Sequence, residues 1–179
     1  MTKLESEMKI PEGIKVEVRD NYIFVSSGSK TVSRKITSKG FDIKIDGDMI
    51  KFSSKRNSKR ERTTFGTYEA HIKSMFKGVK QGHKYVLKIC SGHFPMNVSI
   101  ANNEITIKNF LGEAVPRKAE LDSDVKVTIS GDLINVESVS KEKAGLIASR
   151  IEQLTKVKGR DLRVFQDGIY IIDKDGKGL

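Results

Sequence analysis

The sequence lacks tryptophan altogether and has only one cysteine and three prolines among its 179 residues. Cys90 has no second cysteine with which to form a disulfide, a pattern typical of proteins in reducing compartments. No apolar run approaches the ~20 residues that a membrane-spanning helix needs, and the first residues contain no apolar signal-peptide core. These absences predict a soluble cytoplasmic protein with no membrane partner.

Recognisable catalytic and metal-binding patterns are also absent from the sequence. It contains neither the G-x-S-x-G turn of many hydrolases nor the phosphate-binding G-x-x-x-x-G-K-[ST] loop. Cys90 and His93 have the spacing of half a metal site, but a structural zinc site usually needs four ligands in paired spacing. His71 and His83 lie apart from that pair. The sequence therefore predicts a protein that is not an enzyme and holds no metal or other cofactor.

Acidic residues are scarce relative to basic ones in the first half of the chain, and the formal net charge is +10. Residues 1–90 hold 20 Lys and Arg against 10 Asp and Glu, whereas residues 91–179 hold 13 of each. The densest basic run is a predicted loop at 53–62 that contains Lys55, Arg56, Lys59, Arg60 and Arg62. One interpretation is a solvated surface loop. Because crowded cations repel one another unless a polyanion neutralises them, we favour contact with nucleic-acid phosphates.

The sequence does contain an internal repeat. The pattern Val98-x-Ile100-x-x-Asn103-x-Ile105-x-Ile107 repeats Val16-x-Val18-x-x-Asn21-x-Ile23-x-Val25 at an offset of 82 residues. Residues 115–118 repeat 32–35 at an offset of 83, and residues 131–134 repeat 47–50 at an offset of 84. Such ordered matches indicate one supersecondary unit used twice. We therefore predict two domains, residues 1–90 and residues 91–179.

The hydrophobic pattern predicts strands and one helix in each half. Apolar residues alternate, as in half-buried strands, over 14–19, 22–26, 31–36, 41–45, 49–52 and 85–90, and again over 98–101, 104–108, 125–129 and 133–136. Apolar residues at helical spacing predict one helix from Thr63 or Thr64 to Gly82 and another from Ser140 to Gly159. Residues 1–13 are predicted to be irregular, and 162–165 and 169–172 to form a hairpin. The predicted fold class is α+β, two tandem repeats of an antiparallel sheet with one packed helix each.

Two aromatic residues, Phe94 and Phe110, lie in predicted loops next to polar residues. Aromatic side chains in such loops stack on unpaired bases in many RNA-binding proteins. The alternative is that both rings pack between the two units. The sequence leaves both alternatives open.

Several segments of the chain resemble a known family. They are His93-Phe94-Pro95-Met96-Asn97-Val98, Asn109-Phe110-Leu111-Gly112-Glu113, Phe165-Gln166-Asp167-Gly168-Ile169-Tyr170-Ile171 and the early Ile10-Pro11-Glu12-Gly13. These segments are similar to those of large-subunit ribosomal protein L-six, in its archaeal and eukaryotic branch. The chain lacks the long basic N-terminal extension common in eukaryotic members, which favours the archaeal type.

The resemblance implies a structural, non-catalytic protein built from two repeats of one α+β fold. It implies binding to large-subunit ribosomal RNA near the sarcin–ricin loop and the stalk base, beside neighbouring ribosomal proteins and the place where translation factors dock. It also gives the second repeat the main role in anchoring the RNA.

The candidate RNA-binding residues combine the basic loop with residues of the second half. Besides the five cations of that loop, they are Lys108, Phe110, Gly112, Arg117, Lys118, Lys141, Lys143, Arg150, Lys156, Lys158, Arg160 and Arg163. Gly112 has no side chain, so it permits close approach of an RNA backbone. Two other functions fit the same cations: a free RNA-binding chaperone or regulator, and a protein-interaction scaffold with a basic surface.

Overall fold

The computed structural model describes residues 4–37, 41–54 and 57–178, and the chain divides into two compact units between Gln81 and Gly82. The strands are β1 (Leu4–Lys9), β2 (Lys15–Arg19), β3 (Tyr22–Ser27), β4 (Lys30–Lys35), β5 (Phe41–Asp46), β6 (Met49–Ser54), β7 (His83–Cys90), β8 (Asn97–Ala101), β9 (Glu104–Lys108), β10 (Arg117–Glu120), β11 (Lys126–Ser130), β12 (Leu133–Ser138) and β13 (Gly168–Lys174). The helices are α1 (Lys59–Lys80) and α2 (Lys141–Leu154), and a 3-10 turn covers Phe110–Gly112.

The first unit contains two three-stranded antiparallel sheets and one helix. One sheet has the strand order β1-β6-β5 and the other the order β2-β3-β4, and α1 packs on β3 and β4. The helix buries an apolar face whose members recur every three or four residues; they are Phe65, Tyr68, Ile72, Met75, Phe76 and Val79. The hydroxyl of Tyr68 also accepts a hydrogen bond from the backbone N–H of Thr37 at 2.9 Å, which fixes α1 beside the end of β4.

The second unit follows the same plan with one strand more. Its sheets have the orders β10-β9-β8 and β11-β12-β7-β13, and α2 packs on β7, β12 and β13. One hydrophobic core joins both sheets and the helix. Its fully buried side chains include Leu87, Ile105, Ile107, Ile134, Ile147, Ile151 and Ile169.

Equivalent turns and caps confirm the internal repeat and the α+β class. The turns Asp20-Asn21 and Asn102-Asn103 join β2 to β3 and β8 to β9, with φ between 47° and 63° at all four residues, as primed hairpin turns require. Ser58 and Ser140 cap α1 and α2, and each side chain accepts a hydrogen bond from the N–H three residues later. Strand β7 holds the position in the second unit that β1 holds in the first, because each pairs with the strand that precedes the helix.

Two sequence predictions fail where one unit passes into the other. Residues 1–13 are predicted to be irregular, yet they include β1, whose polar sequence buries only Met8 among its described side chains. Residues 85–90 are predicted to close the first unit, but β7 lies between β12 and β13 in the second. The chain accordingly divides after Gln81 rather than after residue 90. Alternation of apolar residues indicates a strand without indicating which sheet the strand joins.

Helix α1 starts earlier than the apolar spacing predicts. Its cap is Ser58 rather than Thr63 or Thr64, so Lys59, Arg60 and Arg62 lie in or next to the first helical turn and not in a loop. Lys59, Arg60 and Arg62 are exposed and Glu61 is half-buried, so no apolar periodicity reveals this helical turn in the sequence. Lys55 and Arg56 lie outside the described residues.

The end of the chain differs most from the prediction. Helix α2 ends at Leu154 rather than near Gly159, and the hydroxyl of the next residue, Thr155, accepts a hydrogen bond from the backbone N–H of Ile169 at 2.8 Å. Residues 162–165 form a turn and no strand, so β13 pairs with β7 instead of closing a hairpin. Residues 117–120, for which no strand is predicted, form β10.

Candidate nucleic-acid interface

Two loops of the second unit are tied together by one buried carboxylate. Asp167 is 1% exposed, and its Oδ1 accepts hydrogen bonds from the backbone N–H groups of Gly92 at 2.6 Å and His93 at 2.9 Å. Its Oδ2 lies 2.5 Å from Nδ1 of His93. Loop 91–96 is therefore fixed to the residue that precedes β13. We call residues 91–96, 109–113 and 155–167 together the loop surface.

The electrostatics of Asp167 favour its ionised form. Burial raises the pKa of the carboxyl, but the hydrogen bonds from the backbone and side chain of His93 and from the backbone of Gly92, together with the charge of His93, outweigh burial. The pKa of Asp167 therefore lies below its ordinary value. Since an ionised carboxylate only accepts hydrogen bonds, His93 donates from Nδ1, and its Nε2 is directed elsewhere.

An aromatic and cationic stack extends from this carboxylate. The ring of His93 stacks on Phe165 with ring centroids 4.9 Å apart and planes 26° apart. The guanidinium carbon of Arg160 lies 4.8 Å from the centroid of the Phe165 ring, within the range of a cation–π contact. Arg160 is thus positioned at the surface by a ring that is itself held by His93.

Loop 91–96 is fixed on a second side by the 3-10 turn. The side-chain amide of Asn109 donates a hydrogen bond to the carbonyl of Pro95 at 3.0 Å. Gly112 has φ +80°, and a Cβ at this position would lie 3.7 Å from the ring of Phe94. Glycine adopts this conformation without strain, and the Phe94 ring lies close beside it. Phe94 is nevertheless 44% exposed, so it presents a fixed aromatic surface to solvent.

Phe110 belongs to the core of the second unit, so its ring is not exposed for the base stacking that was one of the two alternatives. It is 1% exposed, and it packs with the side chains of the second unit's core. The guanidinium of Arg117 covers its ring at 4.2 Å. Arg117 also donates two hydrogen bonds to Glu113, at 2.6 and 2.8 Å, and one to the carbonyl of Leu154 at 2.6 Å. Hydrogen bonding by Arg117 holds the pKa of Glu113 below its ordinary value.

Several predicted phosphate ligands are engaged by groups of the protein itself. Besides Arg117, the engaged cations are Lys118 with Glu104 at 2.9 Å, Lys143 with Asp124, Arg163 with Asp161 at 3.2 Å and Arg150 with the carbonyl of Glu120 at 3.5 Å. Most of these contacts are exposed and therefore weak. Arg117 is different because its three partners fix it over the core, so we assign it a positioning role.

Other predicted cations are exposed, and one of them, Arg160, lies near enough to Glu113 for its charge to help lower the pKa of that carboxyl. Within residues 57–178, no ion pair is formed by Lys108, Lys141, Lys156, Lys158 or Arg160. Lys156 and Lys158 are exposed because they alternate with Thr155 and Val157, which are buried. The structure thus brings Lys156, Lys158 and Arg160 together on one segment of the loop surface.

The described candidate cations of the first unit, Lys59, Arg60 and Arg62, lie at one end of a helix. Lys59 and Arg60 are exposed in the first turn of α1, and Arg62 donates a hydrogen bond to the side chain of Asn57 at 2.7 Å. Positive charge at a helix N-terminus opposes the helix dipole. Their placement therefore does not serve the stability of the helix.

Sequence reasoning did not identify Asp167, Phe165 and the ring contact of His93 as parts of the surface. Asp167-Gly168 has the composition of a turn, which is how the sequence is interpreted above. The available signal was the position of the family-like segments, because His93 and Asp167 belong to two of them and contact each other across 74 residues of sequence.

Comparison with known proteins identifies the family. A sequence model of the family described as Ribosomal protein L6 matches residues 10–82 and 94–168. This chain belongs to the ribosomal protein L6 family. The two matched ranges correspond to the two repeats, and the resemblance inferred from the sequence is confirmed. The family is one of structural ribosomal proteins and is not an enzyme class.

Archaeal relatives match the chain over nearly its whole length. Large ribosomal subunit protein uL6 of Methanococcus vannielii is 42% identical over 176 residues, which cover 98% of this chain and 97% of the relative. The proteins of the same name from Thermoplasma acidophilum and Haloarcula marismortui are 41% and 37% identical, over 93% and 96% of this chain and 94% and 97% of their own lengths. Among the described residues, no helix has the length and apolar character to cross a membrane.

Proposed function

We propose that this chain is a structural protein of the large ribosomal subunit in cytoplasmic ribosomes. It binds large-subunit ribosomal RNA near the sarcin–ricin loop and the stalk base, where it has other ribosomal proteins as neighbours and translation factors dock nearby. Family membership and the names of the archaeal relatives support the place in the large subunit. The observation that carries the RNA contact is the loop surface, a rigid set of loops with three cations exposed on one segment.

The loop surface binds RNA through cations that lie on loops fixed before the RNA binds. Lys156, Lys158 and Arg160 neutralise backbone phosphates and release condensed counterions, which supplies affinity without reading the base sequence. Because Asp167 and Asn109 fix the loops before RNA arrives, little conformational entropy is lost on binding. Phe94, exposed on its glycine support, offers a ring on which an unpaired base stacks.

The two units have different roles in RNA binding. The whole charge surplus lies in residues 1–90, and the first unit presents part of it at the start of α1. This charge attracts RNA of any sequence over a long range. The second unit presents Lys156, Lys158 and Arg160 beside fixed loops, and this arrangement selects the shape of one RNA site. We therefore assign selective anchoring to the second unit.

Co-sedimentation with large ribosomal subunits in high salt tests the proposal. We expect the full chain to remain bound to subunits, and the variant Lys156→Ser/Lys158→Ser/Arg160→Ser to be released at lower salt. The matched control replaces three exposed lysines outside the loop surface: Lys15, Lys30 and Lys126. Release of the unaltered chain at moderate salt would favour a free RNA chaperone, and retention after RNase digestion would favour a protein-interaction scaffold.

A further inference from the structure

A cavity of about 610 Å³ opens beside Asp167 and the hydrogen bonds that join it to loop 91–96. It lies between the start of loop 91–96 and the residues around the beginning of β13, and its lining includes Ser91, His93, Gln166 and Tyr170. Its volume falls within the ~300–1,000 Å³ typical of sites for small ligands. The proposed binding of phosphates by Lys156, Lys158 and Arg160 does not use this cavity, which none of the three lines.

The charge of the lining disfavours a phosphate as the occupant. None of the residues that line the cavity is Lys or Arg, and one of them is the ionised carboxylate of Asp167. The lining therefore offers no Lys or Arg side chain to hold an anion. A neutral group with hydrogen-bonding edges needs no such side chain, and exposed lysines on the same loop surface can hold the phosphate attached to it.

The cavity contains polar atoms that the protein does not use. Among the described residues, the hydroxyl of Ser91, Nε2 of His93 and the side-chain oxygen of Gln166 have no hydrogen-bond partner. Nε2 of His93 is available because Nδ1 is committed to Asp167. Three uncommitted groups of this kind around one cavity can pair with the donor and acceptor edge of a nucleobase.

Tyr170 supplies a flat ring at the same place. It is 40% exposed, and its hydroxyl donates a hydrogen bond to the carbonyl of Gln166 at 3.2 Å. A Cβ on Gly168 would lie 3.1 Å from the ring, so the absence of a side chain there lets the ring lie against the backbone. Burial, followed by the charges of Cys90, Asp167 and Glu152, raises the pKa of Tyr170, so the phenol stays neutral.

We propose that an unstacked base of large-subunit ribosomal RNA occupies this cavity, stacks on Tyr170 and pairs its edge with Ser91, His93 Nε2 and Gln166. This inference rests on the proposed RNA binding and names the part of it that reads a base. The base enters beside phosphates held by Lys156, Lys158 and Arg160. Affinity from stacking and affinity from charge then come from different residues, which makes them separable by experiment.

Substitution of Tyr170, the ring on which the base is proposed to stack, tests the proposal in the full chain. Tyr170→Leu removes the ring, and we expect binding to large-subunit ribosomal RNA to weaken by about 5- to 150-fold, the change that corresponds to one stacked base. Tyr170→Phe keeps the ring and should bind nearly as the unaltered chain does. The control Tyr22→Leu removes a tyrosine of similar exposure, 38%, from the first unit and should leave affinity unchanged.

The salt dependence separates this proposal from the proposed function. Tyr170→Leu removes no charge, so the slope of log affinity against log salt should stay as it is while the affinity falls. If Tyr170→Leu binds as tightly as the unaltered chain, the base site is refuted and the RNA-binding function stands. If the unaltered chain shows no preference for large-subunit RNA over an unrelated RNA of equal length, both proposals fail.

The single cysteine gives a second test that needs no substitution. Cys90 lines the cavity and is partly exposed, so a thiol reagent such as a maleimide reports on occupation of the cavity. With large-subunit RNA at ten times its Kd, only about a tenth of the chain is free, and we expect the reaction to slow about tenfold. Equal rates with and without bound RNA would overturn the proposal.

Discussion

At the scale of single residues, Asp167 joins segments that are distant in sequence. Its carboxylate contacts the backbone of Gly92 and both the backbone and the ring of His93. The residue type was visible in the sequence, but Asp before Gly is equally the composition of a turn. The buried role of Asp167 depends on its partner His93, which lies 74 residues away, and the alternation of apolar residues carries no signal for that pairing.

Asp167→Asn should destabilise the second unit. An asparagine offers one accepting oxygen where the carboxylate offers two, and its NH₂ group would face a donor. Because the donors are only partly buried, losing one of these hydrogen bonds costs about 1 kcal/mol, and we expect the free energy of unfolding in urea to fall by that amount. Asp132→Asn, at an exposed turn, is the control and should unfold like the unaltered chain. An unchanged midpoint of urea unfolding in Asp167→Asn would mean that the hydrogen bonds of the Asp167 carboxylate contribute nothing to stability.

The same residue predicts how stability depends on pH. Because the folded pKa of Asp167 lies below the ordinary value of 3.8, its contribution is complete above that value. The contribution is lost as the pH falls through the lower, folded pKa. We expect the unfolding free energy of the unaltered chain to fall more steeply below about pH 4 than that of Asp167→Asn. Parallel curves from pH 5 to pH 2 would contradict the assigned pKa shift.

At the scale of elements, the sequence predicted the interiors of helices and strands better than their ends and partners. The apolar stripe from Phe65 to Val79 identified α1 because burial imposes a period. The first turn of that helix is polar, so its start at Lys59 depends on the cap by Ser58, which was not recognised. Strand β7 was recognised as a strand, but its place between β12 and β13 depends on long-range pairing.

Two lysines at opposite ends of α1 test whether charge there serves the helix or an external anion. Lys59 lies at the N-terminus, where the dipole disfavours a cation, and Lys80 at the C-terminus, where the dipole favours one. We expect Lys80→Ser to lose about 0.3–1 kcal/mol of stability in thermal unfolding, and Lys59→Ser to lose none. Lys59→Ser should instead weaken RNA binding. Loss of stability in Lys59→Ser with unchanged RNA binding would show that Lys59 is structural.

At the scale of the whole molecule, the division of the chain determines which fragment folds. A fragment of residues 82–179 keeps β7, which lies inside the four-stranded sheet and buries Leu87. A fragment of residues 91–179 lacks this strand and leaves β12 and β13 without their shared partner. We expect cooperative thermal unfolding, followed by circular dichroism, for the first fragment and none for the second. Equal cooperativity in both would mean that β7 is dispensable.

Charge at the same scale shows why a count alone does not locate a binding site. The count places the whole surplus in residues 1–90, whereas family resemblance points to the second repeat. In the second unit, cations such as Lys118 and Lys143 are engaged by neighbouring acids, whereas Lys156, Lys158 and Arg160 are exposed on one segment. Sequence reasoning included these three among its candidates, but it had no means to separate them from engaged cations such as Arg117.

The salt dependence of binding to large-subunit ribosomal RNA tests the central claim most directly. Each phosphate contact contributes about 0.7–0.9 to the slope of log affinity against log salt. Lys156→Ser/Lys158→Ser/Arg160→Ser should therefore reduce the magnitude of the slope by about 2–3 relative to the unaltered chain. Lys15→Ser/Lys30→Ser/Lys126→Ser, which removes the same charge elsewhere, should reduce it much less. Equal slopes for the two triple variants would contradict anchoring of the RNA by the loop surface.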